Sequence, residues 1–155
     1  MGREMTHTRD EIMAMNAEEL RREIAKMLGW GYGERHSIPE TNPPGRGIYN
    51  YLFSPGEEIE DEYWTSKLYD LWPSSWDKLH GWKLPNWPED IGAMYSLEET
   101  IPEDEHLEYM EILSDVIRWQ RLANNKRVSA SLYRIAHATA EQRARAWLIW
   151  KEGQK

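Results

Sequence analysis

The sequence predicts an α+β fold rich in helix. Two observations carry this. Several stretches repeat apolar residues at spacings of three and four between recognisable helix caps, and other short stretches alternate with the period of two that marks a strand. The first helix lies in "NAEELRREIAKMLGW" (16–30), where Asn16 and Glu19 have capping-box spacing. Leu20, Ile24, Met27 and Leu28 form its apolar face, Gly29 ends it, and Trp30 folds back on the last turn. Thr8 and Glu11 cap a short turn upstream.

The stretch "GYGERHSIPETNPPGRG" (31–47) reads as loop, because Gly and Pro dominate it. "IYNYLF" (48–53) reads as a strand, with Ile48, Asn50 and Leu52 opposed to Tyr49, Tyr51 and Phe53. Residues 54–72 fit either type: Ile59, Tyr63 and Leu68 suit a helix from about Glu57, whereas the aromatic density suits a strand. Pro88, Glu89 and Asp90 then open a helix with Ile91, Met94, Tyr95 and Glu98 inward. Thr100 caps a further helix over 100–123, with Leu107, Met110, Leu113 and Ile117 as its stripe and Ile112, Val116 and Trp119 widening it. "RVSASLYRIAH" (127–137) alternates approximately and reads as a strand, with a helix as the alternative. "TAEQRARAWLIWKEG" (139–153) is a helix capped by Thr139 and Gln142, with Ala144, Trp147, Leu148 and Lys151 on one face.

A chain of 155 residues predicts one domain, 1–155, able to bury a core without staples. No run approaches the ~18 apolar residues of a membrane span, and "MGREMTHTRDE" lacks a secretory apolar middle. Gly2 and Thr6 match the N-myristoylation pattern, which is short enough to arise by chance. The absence of cysteine excludes disulfides and thiolate chemistry and fits a reducing cytosol. A net charge of −8 argues against a duplex nucleic-acid binder, since that affinity comes largely from phosphate neutralisation. Acid collects at 57–62 and 98–108 and base at Arg118–Arg145; both runs read as solvated helix faces.

Catalytic and metal signatures do not emerge. The five histidines lack paired metal spacing. The glycines of "GWGYGERH" (29–36) follow a helix rather than a strand, the wrong context for a phosphate loop. The carboxylates sit in solvated runs, and Ser74–Ser75 has no nucleophile-elbow glycines. The expectation is a protein that is not an enzyme and uses no metal or cofactor.

Nine Trp and eight Tyr against one Phe is an amphipathic choice, suited to half-wet positions. Trp30, Trp119, Trp147 and Trp150 lie on helical apolar faces and read as core. Four more, Trp72, Trp76, Trp82 and Trp87, fall in "LWPSSWDKLHGWKLPNWPED" (71–90), interleaved with Lys78, His80 and Lys83. Such a segment either anchors itself to a small core or stacks a ring while cations hold phosphate. The candidate ligand residues are therefore Trp72, Trp76, Lys78, Trp82 and Lys83, joined by Arg35, His36, Arg46 and Arg143.

Three segments, "LRREIAKMLGW" (20–30), "LPNWPEDIGAMYSLEE" (84–99) and "HATAEQRARAWLIW" (137–150), resemble in order and character the bacteriophage ABA-sandwich family of small proteins. The resemblance covers about half the chain and leaves 54–83 as a Trp-rich elaboration. It implies an α/β/α sandwich, a small, mainly antiparallel sheet with helices on both faces, in a phage-encoded protein of the host cytoplasm. It implies no catalytic residues. The leading expectation is a non-enzymatic accessory protein that sequesters a nucleotide-derived immune signal. The alternatives are an interaction module that blocks a host or phage protein through its tryptophans, and a nucleotide-processing enzyme. Homo-oligomerisation is a further expectation, since Trp-rich edges often sit in symmetric contacts.

Overall fold

The computed structural model describes residues 7–37, 48–58, 64–70, 72, 80–81, 83–123 and 132–154. In chain order the elements are α1 (Arg9–Ala14), α2 (Ala17–Met27), β1 (Gly31–Ser37), β2 (Ile48–Phe53), β3 (Trp64–Leu68), β4 (His80–Gly81), α3 (Ile91–Glu98), a 3-10 turn (Glu103–Glu105), α4 (His106–Ala123), α5 (Leu132–Ala136) and α6 (Ala140–Glu152). The fold is α+β and helix-rich, as the sequence predicts. Two compact units make it up: Met1–Ile24 with Pro85–Lys155, and Ala25–Leu84. Among the described residues no helix is long and apolar enough to cross a membrane.

The second unit holds the sheet, in the order β3-β1-β2-β4. β1 pairs antiparallel with β2 and with β3, and the two-residue β4 runs parallel to β2. β1 occupies part of the stretch that reads as loop. Its glycines serve the sheet rather than a turn: a Cβ on Gly33 would lie 2.0 Å from the Lys67 carbonyl oxygen, so only glycine lets β3 approach. The ambiguous 54–72 segment is a strand over Trp64–Leu68. The end of α2 follows the sequence closely. Gly29 has φ +92°, its N–H donates to the Lys26 carbonyl, and the Trp30 N–H donates to that of Ala25, the paired bonds of a Schellman motif.

The first unit is helical. Thr8 caps α1 through the Glu11 N–H, and Asn16 and Glu19 form the expected capping box. α6 is buried on nearly every side, from Arg143 to Trp150, rather than along one stripe. It packs against α1, α3 and α4, which explains why a single inner face fails to describe it. Thr139 and Gln142 complete its capping box. Trp87, Trp147 and Trp150 are core residues, whereas Trp119 is 47% exposed.

Three sequence expectations in this unit are corrected. α3 starts at Ile91 with Asp90 as its N-cap, accepting from the Gly92 and Ala93 N–H groups, and its buried residues are Met94 and Leu97, while Ile91 and Tyr95 stand exposed. Thr100 caps no helix start; its hydroxyl donates back to the Leu97 carbonyl and closes α3, so α4 begins only at His106. α4 turns Tyr109, Ile112, Leu113, Val116 and Ile117 inward and leaves Leu107 in solvent. In the 127–137 stretch, of which 127–131 lie outside the described residues, Leu132–Ala136 is a helical turn, the alternative to the strand reading. Its terminal carbonyls at Ile135 and Ala136 accept from the Arg143 guanidinium, a non-local cap that alternation in the sequence cannot reveal.

Candidate functional site

The period of two sorts β1 onto two faces of the sheet. Tyr32, Glu34 and His36 share one face with Lys67 and Thr65 of β3, since Glu34 pairs with Lys67 and His36 with Thr65. Beyond β3 the Tyr69 N–H donates to the Tyr32 carbonyl, extending the ladder and bringing the Tyr69 ring to 5.7 Å from that of Tyr32. Trp72 follows, with its ring centroid 6.4 Å from Tyr32. The ammonium of Lys26, in the last turn of α2, lies 6.0 Å from the Trp72 ring, and that of Lys67 lies 5.9 Å from the Tyr69 ring. Three tilted rings and two lysines from four separate segments thus converge, and Tyr32, Tyr69 and Trp72 are each half-buried.

Glu34 organises the middle of this face. It holds a hydrogen bond with the Tyr69 hydroxyl, which with some burial pushes the Tyr69 pKa up to about 12. Tyr69 is thereby kept protonated and acts as a hydrogen-bond donor, not as a base. His36 Nε2 lies 3.1 Å from the Glu34 carboxylate. The result is a partly apolar surface with cations at its edge, chemistry that stacks a flat ring and receives an anionic group. Of its two phenols, Tyr32 and Tyr69, the second is held protonated with its O–H given to Glu34.

Of the residues singled out from sequence, Trp72 and His36 fall on this face. Arg35, adjacent to His36 in the chain, falls on the other. There its guanidinium stacks 4.8 Å from the Tyr51 ring and 6.0 Å from Phe53, with Nη1 3.7 Å from Glu57. The Tyr51 hydroxyl and the Ser54 N–H both donate to the same Glu57 carboxylate, a packed arrangement in which burial, then the Glu57 hydrogen bond, raises the Tyr51 pKa. Lys83 is exposed beyond β4. Trp76, Lys78, Trp82 and Arg46 lie outside the described residues.

Arg143 belongs to the first unit and has a structural role there. Its Nη1 donates to both Glu98 carboxylate oxygens at 2.9 Å, Nε to the Ala138 carbonyl, and Nη2 to those of Ile135 and Ala136. The Tyr109 hydroxyl donates to Glu98 as well, and its pKa is raised, chiefly by burial and then by the Glu98 charge. With all five N–H donors engaged inside the fold, Arg143 has none left for an anion. Sequence reasoning missed Tyr32, Tyr69, Lys26, Lys67 and Glu34. The signal for them was present only as amphipathic residue types at alternate positions of a strand that reads as loop.

Comparison with protein-family models, with curated proteins and with solved structures gave no match. Among the described residues, no three His, Asp or Glu side chains come together as metal ligands.

Proposed function

We propose that the protein binds, without transforming, a small planar anion of the nucleotide class on the Tyr32–Tyr69–Trp72 face. The observation that supports this reading is the convergence of Trp72 and Tyr32 with the Lys26 ammonium, a ring platform with a cation beside it. Stacking on one aromatic is worth about 1–3 kcal/mol per base. A lysine edge adds charge complementarity to phosphate. Together with the resemblance of three segments to the phage ABA-sandwich family, this supports a phage accessory protein of the host cytoplasm that sequesters a nucleotide-derived immune signal.

Native mass spectrometry of the full chain against a panel of linear, cyclic and ADP-ribose-type nucleotides tests the proposal. The expected result is a complex from which the ligand is recovered with its mass unchanged. Recovery of a product would replace sequestration with catalysis. Binding of no panel member, together with a host protein captured by the wild type but not by Trp72→Ala, would move the face to a protein–protein role.

A further inference from the structure

α4 carries half of the large apolar side chains that stand exposed among the described residues: Leu107 at 73%, Met110 at 37%, Trp119 at 47% and Leu122 at 59%. Its inner face is already packed, with Tyr109, Leu113, Val116 and Ile117 buried, so these four belong to a second, outward face. On a helix, residues three and four apart stand in line. Leu107, Glu111, Ser114, Arg118 and Leu122 make such a line along the whole of α4, and none of them is buried. Trp119 and Leu122 also border an apolar hollow of 260 Å³ that Met13, Val116 and Ile149 help to line. The charges of this face are divided by sign. Glu108, Glu111 and Asp115 occupy its first half, Arg118 and Arg121 its second. Like charges three and four apart on one helix repel, so the acidic half is better opposed by a basic surface. The helix itself supplies one. Its midpoint falls between Ser114 and Asp115; Glu111 and Arg118 lie equally far from that point, and so do Leu107 and Leu122. A helix with this pattern is complementary to its own reverse, the condition for an isologous two-fold contact.

We propose that the protein pairs with a second copy through α4, the two helices running antiparallel about a two-fold axis at that midpoint. Glu111 then faces the partner's Arg118, and Leu107 packs on the partner's Leu122 beside the hollow; symmetry makes each contact twice. The two Asp115 carboxylates come close to the axis. Each is already held by Arg9 at 3.4 Å and by Arg118 at 4.0 Å, so the central acids arrive with four guanidiniums. A parallel pair would set acid on acid and base on base. The 18-residue helix is about 27 Å long, which keeps the contact at the small end of specific interfaces, about 1,200 Å² in total, with affinity on the order of 10 μM. No residue of the aromatic–lysine face takes part, so pairing and nucleotide binding can fail independently.

Sedimentation velocity of the full chain, over concentrations well below and well above that affinity, is the test. The expected result is a reversible monomer–dimer equilibrium with no larger species. Glu111→Arg and Arg118→Glu, both at exposed positions, should each weaken it about tenfold or more, since each reversal turns two attractions into repulsions. An equimolar mixture of these two variants should recover a heterodimer of near wild-type affinity, because each altered charge then meets its opposite. Leu122→Glu should leave the chain monomeric with its helical circular dichroism unchanged. The sequence has no cysteine, so oxidising a mixture of Glu111→Cys and Arg118→Cys should give the mixed disulfide, and neither variant alone a cross-link. The proposal is overturned if the wild type stays monomeric throughout or assembles beyond the dimer. It is overturned equally if the charge reversals and Leu122→Glu dimerise like the wild type, if mixing restores nothing, or if the cysteine variants cross-link like with like.

Discussion

Replacing Arg143 by methionine tests how the helical unit is held together. The side chain is 10% exposed and its partner Glu98 is 14% exposed, so the pair interacts largely out of water. Arg143→Met leaves the Glu98 carboxylate with the Tyr109 hydroxyl, and removes the donors that serve the Ala138, Ile135 and Ala136 carbonyls. Removing one member of a buried pair costs about 3–5 kcal/mol, because the stranded charge stays buried. With a urea slope of about 2 kcal/mol per molar, the unfolding midpoint should fall by about 2 M. Tryptophan fluorescence in urea reads this directly, since Trp87, Trp147 and Trp150 are buried in the same unit. Adding Glu98→Gln removes the stranded charge, so the double variant should be more stable than Arg143→Met alone. A midpoint shift below about 0.5 M at unchanged slope would refute the account of Arg143 as the internal tie of α3, α5 and α6.

Two further outcomes follow from the sheet. Gly33→Ala should cost about 3 kcal/mol or more in thermal unfolding, at or beyond the top of the overpacking range, because the new methyl meets the backbone of β3. Gly31→Ala should be nearly neutral, since its neighbour at 3.3 Å is the end of the exposed Leu68 side chain; equal effects at the two sites would count against the β1–β3 register. Ultraviolet titration of tyrosinate should show Tyr69 ionising late, near pH 12, with Glu34→Gln moving it back towards its ordinary value of 10.0. As the folded pKa is raised, the stabilising contribution is complete below the ordinary value and is lost as pH rises through about 12. An unshifted Tyr69 in the wild type would contradict the Glu34 hydrogen bond.

The features legible in the sequence were those decided locally. Caps at Thr8, Asn16, Asp90 and Thr139, and the Gly29 helix stop, depend on residues within a few positions and appear as the residue types imply. The strand at Ile48–Phe53 was legible for the same reason. What was hidden depends on distant partners. Gly31 and Gly33 look like loop residues until the β3 backbone is laid beside them. Leu132–Ala136 alternates like a strand, yet its carbonyls are satisfied by an arginine of the next helix. The tryptophans of the 71–90 stretch also divide. Trp87 is buried at 5% exposure just ahead of α3, while Trp72 joins a ring cluster whose other members, Tyr32 and Tyr69, come from β1 and from just beyond β3. Arg35 and His36, neighbours in the chain, are separated by the strand period onto opposite faces.

The central claim is that the Tyr32–Tyr69–Trp72 face holds a planar anion, and calorimetric titration of the nucleotide panel into the wild type and Trp72→Ala measures it most directly. The account predicts saturable binding by at least one member, weakened by added salt and reduced about tenfold or more by Trp72→Ala, in keeping with a stacking contribution of about 1–3 kcal/mol. Absence of saturable binding by every member, or binding that Trp72→Ala leaves unchanged, would contradict it.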